Sequence, residues 1–142
     1  MIHVELSNVP LDADAARIRV ASPGHGAVLV FYGNVRDHHE GRQVIRVDYS
    51  AYEPMARQEL LAIASEMMDA HRVGAVVVLH RVGPVEVGET SLVVAIGSAH
   101  RRAAFDCGLA VIDEIKRRVP IWKREVSPDG STWQDGQIPG AP

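Results

Sequence analysis

The sequence has a single cysteine, Cys107, so a disulfide within the chain is excluded. It also has no apolar run near the roughly 20 residues that a bilayer-spanning helix requires, and no membrane association is expected. The first residues, MIHVELSNVP, contain neither a basic leader nor an apolar core, so we expect no signal peptide and a cytoplasmic protein. The formal net charge of −3 means that any basic site is local and that nucleic acid is not an expected partner.

Sequence motifs of several common enzyme classes are missing as well. There is no P-loop, no G-x-G-x-x-G, no C-x-x-C and no G-x-S-x-G, so these nucleotide-binding, redox and hydrolase signatures give no guidance. The adjacent His38 and His39 point in different directions, and a third ligand does not follow at a usual spacing. We therefore expect neither a metal site nor a bound cofactor.

The length and composition are those of a globular domain. The chain has 142 residues, of which 46% are hydrophobic and 23% charged, which suits one domain with a modest core. We expect that domain to cover residues 1–133. Residues 134–142, QDGQIPGAP, are rich in glycine and proline and are expected to form a flexible C-terminal tail.

The apolar patterns predict strands that alternate with helices. Continuous apolar runs at 27–32, 75–81 and 91–96 predict buried strands, and shorter strands are expected at 3–6, 43–52 and 121–126. A brief helix is expected from Asp12 to Val20, and two longer helices begin at Pro54 and after an N-cap at Ser98. This order favours an α+β fold, a two-layer sandwich with a mixed or antiparallel sheet and two main helices.

The second long helix carries cations on its apolar side. On a helical wheel Phe105, Leu109 and Ile112 share one face, and Arg101 and Lys116 fall on that same face near its two ends. If this stripe is buried, the two charges need an anionic partner. The alternative is that both side chains pack their stems and keep their charged ends in water.

Further basic residues gather near both ends of this helix. His100 lies beside Arg101, and Lys123 and Arg124 follow shortly after Lys116. Arg101 and Lys116 are about 22 Å apart along the helix axis, too far to grip one small ligand. Either the chain has two anion sites, or a two-fold dimer brings the Arg101 end of one protomer to the Lys116 end of the other.

The polar segment after the first buried run is a further candidate. Arg36 follows that predicted strand closely, and residues at strand ends are well placed for function because the strand fixes them while the loop exposes them. The alternative is an ordinary solvated arginine. Cys107 lies within the second long helix, where we expect a small buried side chain.

Three segments, GAVLVFYGNVRDH, SAHRRAAF and IKRRVPIWKRE, together resemble the large, catalytic subunit of molybdopterin synthase. The shorter pieces YEPMA, LHRVGPVEVGE and DGSTW agree, and the resemblance extends from Gly26 to Trp133. It implies an α/β-hammerhead fold with PVEVGE in the hammerhead region. It also implies a central homodimer with one small ubiquitin-like subunit at each end, forming a heterotetramer.

The same resemblance implies a reaction. The small subunit carries a thiocarboxylate on its C-terminal Gly-Gly, and this end enters a pocket of the large subunit. Two sulfur atoms are transferred to cyclic pyranopterin monophosphate, which gives the dithiolene of molybdopterin in molybdenum cofactor biosynthesis. Since substrate and attacking group are both anionic, a cationic pocket would offset their repulsion.

The resemblance also implies the site residues. Lys116 is expected to be the general acid/base, with Lys123 holding substrate or thiocarboxylate. Arg36, His100 and Arg101 are assigned to the phosphate and the pterin. Glu125 is expected to orient Lys123 or Arg124, and the alternative for Glu125 is a structural ion pair. The full substrate-binding set is Asn34, Val35, Arg36, His100, Arg101, Lys116, Lys123, Arg124 and Glu125; some family members have lysine in place of Asn34, so no charge role is expected there.

Two rival functions remain open at this point. The chain could bind a ubiquitin-like Gly-Gly tail or a phosphorylated pterin without chemistry, although binding alone does not need both lysines. It could also be an unrelated soluble enzyme that acts on phosphorylated metabolites and needs no protein partner.

Overall fold

The structure is a computed structural model, and it describes residues 1–136. Ten strands and three helices alternate along this part of the chain. In chain order they are β1 Ile2–Ser7, α1 Ala13–Val20, β2 Ala27–Asn34, β3 His38–His39, β4 Arg42–Gln43, β5 Arg46–Ala51, α2 Glu53–His71, β6 Ala75–Arg81, β7 Gly83–Glu86, β8 Thr90–Ser98, α3 Arg101–Arg118, β9 Ile121–Val126 and β10 Thr132–Gly136.

The strands form two four-stranded sheets and a small hairpin. The first sheet has the order β1-β6-β8-β2, with β1 parallel to β6 and the other pairs antiparallel. The second sheet, β10-β9-β5-β7, is antiparallel throughout, and β3 pairs with β4. The predicted α+β class is confirmed. The strands that the sequence suggested as one layer are divided between two sheets.

The first sheet is buried on both faces, which explains why its central strands read as unbroken apolar runs. Every residue of β6 is buried. Val76 and Val78 face α2 and α3, whereas Val77 faces α1. The alternation of strand side chains thus supplies two cores from one apolar segment.

The strand β2 is less buried than its sequence suggests. Val28 and Tyr32 are exposed, so the expectation of a buried strand over 27–32 was wrong. The reason is its position, because among the described residues β2 pairs only with β8 and so lies at the edge of the sheet. Leu29 packs on the α3 side of β2 and Val30 on the α1 side, while Val28 and Tyr32 remain exposed.

The start of α3 also differs from the prediction. Ser98 is the last residue of β8, paired with Ala27, and His100 occupies the N-cap position. Ser98 Oγ instead accepts a hydrogen bond from the His100 backbone N–H at 3.4 Å. Pairing with β2 extends the strand to Ser98, two residues beyond the end that the sequence pattern indicates.

The predicted tail begins too early. Gln134 pairs with Arg124 and Gly136 with Trp122 in the β10–β9 ladder, so the segment up to Gly136 is a strand. The backbone hydrogen bonds of β9 supply the order that its composition does not. The rest of the expected tail, 137–142, lies outside the described residues.

In the part of the chain that the structure describes, no helix is long and apolar enough to cross a membrane. The cytoplasmic location expected from the sequence stays a prediction.

Candidate active site

The helix α3 turns a different face to the sheet from the one predicted. Phe105 is 62% exposed and Leu109 is 63% exposed. The buried positions are instead Ala104, Cys107, Gly108, Val111 and Ile115. The prediction of a buried Phe105–Leu109 stripe was therefore wrong, while the prediction of a buried Cys107 is confirmed.

The close approach of helix to strand explains this choice of face. A Cβ on Gly108 would lie 2.9 Å from Leu29 Cδ2, so glycine lets the helix sit this near to β2 without displacing the Leu29 side chain. Small side chains then fit the narrow gap, and the larger Phe105 and Leu109 are left outside. Arg101 and Lys116 lie on this outer face and are exposed.

His100 and Arg101 stand at the N-terminal end of α3. Both are exposed and line an open depression of about 490 Å³ together with Arg102, Phe105 and Asp106. Free backbone N–H groups and nearby cations at a helix start favour anions such as phosphate or carboxylate. This depression is therefore a candidate anion site.

A tightly packed turn fixes the backbone just before these residues. The His25 ring lies between Gly74 and Gly97, where a Cβ on either glycine would overlap it. His25 Nδ1 donates to the Val20 carbonyl at 2.8 Å, since a carbonyl only accepts. The chain segment that delivers His100 is thus held by packing and not by a side-chain cap.

A second set of cations lies at the other end of α3. Arg36 is exposed just beyond β2, Lys116 is exposed in the last turn of α3, and Lys123 is half-buried in β9. Because α3 follows the end of β8 and packs back over Leu29 through Gly108, its C-terminal turn reaches the sheet end where β2 finishes. Arg36 and Lys116 therefore lie toward the same end of the first sheet.

The segment before Arg36 is held by its backbone. Val35 is buried in a small core with Val44, Val47 and Val85. Its N–H donates to the Glu89 carbonyl at 3.0 Å, and its carbonyl accepts from Gly88 N–H at 2.8 Å. Val35 therefore anchors the loop, and Arg36 is free to face solvent.

The Asn34 side chain is held by a hydrogen bond to the neighbouring strand. Its Oδ1 accepts a hydrogen bond from Thr90 Oγ1 at 2.7 Å, at a bulge between β2 and β8. This contact accounts for an uncharged side chain at the position, as expected from the sequence.

Strand alternation separates the residues of the W-K-R-E segment. Lys123 is paired with Tyr49 of β5, and Glu125 lies on the same face two residues later. Arg124 points to the opposite face, where its guanidinium is 3.4 Å from Asp48 Oδ2. The structure thus does not bring Arg124 to the Lys123 side of the sheet.

Glu125 does not pair with either neighbour in β9, contrary to the expected orienting role. The side chain is 5% exposed. Its Oε1 accepts from His39 Nδ1 at 2.6 Å and from Arg42 Nη2 at 3.2 Å. The Arg42 guanidinium also lies 4.4 Å from the centroid of the Trp133 ring. The structure therefore contains the alternative, an ion pair that ties the β3–β4 hairpin to β9 and β10.

The geometry of the β3–β4 hairpin places two donors beside the Glu125 carboxylate. Glu40 and Gly41 close it with φ angles of 51° and 79°, the pattern of a two-residue turn that needs positive φ at both positions. His39 and Arg42 are then directly opposite each other and reach the same carboxylate. Among the described residues no group of three or more His, Cys, Asp or Glu side chains is placed to hold a metal ion.

Three polar residues near Lys123 were missed by the sequence reasoning. Tyr49 OH donates to Ser91 Oγ at 3.2 Å, and Ser91 Oγ donates to the Gly33 carbonyl at 3.2 Å. The ring of His80 meets the Tyr49 ring edge-on at 5.2 Å between centroids. Burial lowers the pKa of His80 to about 4, and burial also raises the pKa of Tyr49. Only the pairing of β5 with β9 shows that they are near the lysine.

The cationic residues thus form two groups in one chain. His100 and Arg101 lie at one end, whereas Arg36, Lys116 and Lys123 lie toward the other. The separation is about 22 Å along α3 between Arg101 and Lys116, and about 23 Å along β2 from Ala27 to Asn34. One chain alone does not unite the predicted pocket.

Comparison with known proteins gives a consistent result. The family model described as MoaE protein matches residues 6–118. A molybdopterin synthase catalytic subunit from Pyrococcus abyssi is 40% identical over 117 residues, which cover 82% of this chain and 79% of that protein. The Bacillus subtilis protein of the same name is 35% identical over 138 residues, or 97% of this chain and 88% of its own.

Solved structures show the same architecture. A molybdopterin synthase structure from Staphylococcus aureus is similar with a TM-score of 0.88 and 31% identity, covering 94% of this chain and 96% of that one. A complex of subunits 1 and 2 of molybdopterin-converting factor from Helicobacter pylori has a TM-score of 0.71 over 96% of this chain and 90% of that one. Its identity is 20%, so it supports the fold alone.

Proposed function

The chain belongs to the MoaE protein family and is a molybdopterin synthase catalytic subunit, and from this premise we propose how its residues carry the reaction. It transfers sulfur from the thiocarboxylated C-terminus of a small ubiquitin-like subunit to cyclic pyranopterin monophosphate. Family membership does not favour either rival, the non-catalytic binding module or the unrelated enzyme acting on phosphorylated metabolites.

The exposed face of α3 is the observation that carries the proposal. Phe105 and Leu109 present apolar surface to solvent, and Phe31 of the adjacent edge strand is also exposed. Arg101 and Lys116 frame this surface at its two ends. An apolar surface bordered by charges is typical of a protein interface. The surface fits a second copy of the chain.

The spacing along α3 favours a two-fold arrangement. The midpoint between Arg101 and Lys116 falls between Gly108 and Leu109, and the midpoint between Phe105 and Ile112 is the same. An antiparallel pair of α3 helices centred there places Phe105 against the partner subunit's Ile112. It also places Arg101 opposite the partner subunit's Lys116. The homodimer would thereby unite the two cationic groups that one chain keeps about 22 Å apart.

Each site would then be assembled from both subunits. Arg101 and His100 of one subunit would bind the phosphate and pterin, together with Arg36 of the other subunit; planar guanidinium groups suit phosphate oxygens. Lys123 would hold the thiocarboxylate or the substrate, and Lys116 would move the proton at the sulfur-transfer centre. The exposed Lys116 of a single chain would be shielded from water only at the interface.

Other residues of the predicted set have supporting roles in this proposal. Val35 and Asn34 fix the loop that presents Arg36 through their backbone and Thr90 contacts. Glu125 holds the hairpin, and Arg124 faces away from Lys123.

Mixing two inactive variants tests the shared site. Arg101→Ala and Lys116→Ala should each be inactive, when the purified protein is given thiocarboxylated small subunit and precursor and dithiolene product is measured. Co-refolded in equal amounts, they should recover about a quarter of wild-type activity, because half of the dimers are mixed and each mixed dimer has one intact site.

A matched pair provides the control. Lys116 and Lys123 are assigned to the same subunit's site, so mixing Lys116→Ala with Lys123→Ala should restore nothing. Absence of recovery in the Arg101–Lys116 mixture would mean that these two residues do not share a site across the dimer. Arg101→Ala alone should weaken precursor binding by about 2–4 kcal/mol, measured by calorimetry.

A further inference from the structure

A buried chain of hydroxyl groups links the two sheets. Tyr49 lies in β5 of the second sheet, whereas Ser91 and Gly33 lie in β8 and β2 of the first. Tyr49 OH donates to Ser91 Oγ, which donates in turn to the Gly33 carbonyl, both at 3.2 Å. Ser91 is 7% exposed, so little water competes for these hydrogen bonds.

Each end of this hydrogen-bonded series of hydroxyl groups lies near a part of the proposed site. The Tyr49 ring is directly opposite Lys123 in the β5–β9 ladder, and directly opposite side chains have Cβ atoms about 5 Å apart on one face. At the other end, the Gly33 carbonyl belongs to the residue three positions before Arg36. The hydroxyl chain therefore joins β5, the strand paired with that of Lys123, to β2, the strand that leads into the Arg36 loop.

The surroundings keep Tyr49 able to donate. Burial raises the pKa of its phenol, so the hydroxyl keeps its proton near neutral pH. His80 packs against the ring edge-on, and burial, which lowers its pKa to about 4, keeps it neutral near pH 7. Its Nδ1–H donates to the Arg81 carbonyl at 2.6 Å, which fixes the orientation of the ring. Val47 and Val85 close the apolar side of the same cluster.

We propose that Tyr49 is a positioning residue with two separable roles, a proposal that rests on the proposed function. Its ring supports the aliphatic stem of Lys123. Its hydroxyl, through Ser91, fixes the Gly33 carbonyl and hence the direction in which Arg36 leaves the sheet. Both groups would have to stay within a fraction of an ångström of their working positions relative to each other.

Single variants separate the two roles. Tyr49→Phe keeps the ring and removes the hydroxyl, so KM for the precursor should rise about 3- to 10-fold while kcat stays within about 2-fold, because one hydrogen bond is lost at the substrate-binding loop. Tyr49→Leu removes the ring as well, and kcat should then fall about 10-fold because Lys123 loses its support. A general loss of folding would lower the apparent kcat of both variants and leave KM unchanged, and that result would overturn the proposal.

The two hydroxyl residues should behave as one unit. Ser91→Ala should raise KM at least as much as Tyr49→Phe, and the double variant should be no worse than Ser91→Ala alone. Additive losses would show that the hydroxyls act independently and would overturn the proposal. Tyr32→Phe, an exposed tyrosine on the opposite side of β2, is the control and should change neither parameter.

Amide exchange measured by NMR gives a readout that does not need the reaction. In Tyr49→Phe and Ser91→Ala the N–H groups of Val35 and Gly88, which bond across the loop, should exchange about 3- to 10-fold faster, while the amides of α2 keep their rates. Unchanged exchange in a protein that is active as a synthase would overturn the positioning role alone. A wild-type protein without synthase activity would overturn the proposed function, while the exchange rates would still report on the hydroxyl chain.

Discussion

His80 should make the protein sensitive to mild acid. It is 6% exposed in the central strand β6, and its Nδ1–H donates to the Arg81 carbonyl at 2.6 Å. Burial lowers the pKa of His80 from 6.5 to about 4. The unfolded chain therefore binds a proton at a pH where the folded chain does not, and the free energy of unfolding falls as pH falls from above 6.5 toward 4.

The size of the effect follows from these two pKa values. Between pH 7 and pH 5 the unfolded imidazole becomes almost fully protonated while the folded one stays neutral, which costs about 2 kcal/mol of stability. Over the same range the carboxylates of Glu66 and Glu114 remain ionised, because their pKa values are lowered by Arg118 and Arg117 respectively. About 2 kcal/mol of the acid loss in this window is therefore assigned to His80.

The measurement is urea unfolding of wild type and His80→Asn at pH 7 and pH 5. Asparagine does not titrate and can still donate an N–H to the Arg81 carbonyl. We expect the variant to be less stable than wild type at pH 7. On going from pH 7 to pH 5, its free energy of unfolding should fall by about 2 kcal/mol less than that of wild type. His3→Asn, at a partly exposed position in β1, should keep the wild-type pH dependence. Equal losses in wild type and His80→Asn would refute the assignment.

Three further outcomes follow from the packing. Burial raises the pKa of the Cys107 thiol to about 11, so a thiol reagent at pH 8 should label native protein at least about 100-fold more slowly than unfolded protein, followed by mass spectrometry. Gly97→Ala should destabilise by about 3 kcal/mol or more in thermal unfolding, because its Cβ would overlap the Val20 carbonyl; a variant of normal stability would contradict this packing. Glu125→Gln should cost about 2 kcal/mol by removing the buried one of the two carboxylates that pair with Arg42, and should loosen the hairpin amides in hydrogen exchange.

Much of the secondary structure could be read from local signals. The strands β6 and β9 have the bounds that the sequence predicted, because glycine or proline residues border segments of strand length. The helix α2 begins with a proline in its first turn and ends at Arg72 in the left-handed conformation, near the predicted end. Such boundaries depend on neighbouring residues, and these are visible in one sequence.

The site was only partly predictable. The candidate cations were identified from their position beside an apolar stripe, and the resemblance supplied their roles. The prediction of which face of α3 packs inward was wrong, because the helix has two apolar stripes. The contact that distinguishes them joins Gly108 to Leu29, which are far apart in sequence. The partner of Glu125 was missed for the same reason, since His39 and Arg42 lie more than 80 residues away.

The sequence by itself determined the class of fold, the order of the elements and which charged residues could do chemistry, because these depend on local periodicity and residue type. Only the tertiary structure decided that Phe105 and Leu109 face outward, that Tyr49 is opposite Lys123, and that Glu125 pairs with the β3–β4 hairpin. Strand register and helix rotation set these relations, and both are fixed by contacts between distant segments that minimise buried voids and unpaired polar groups.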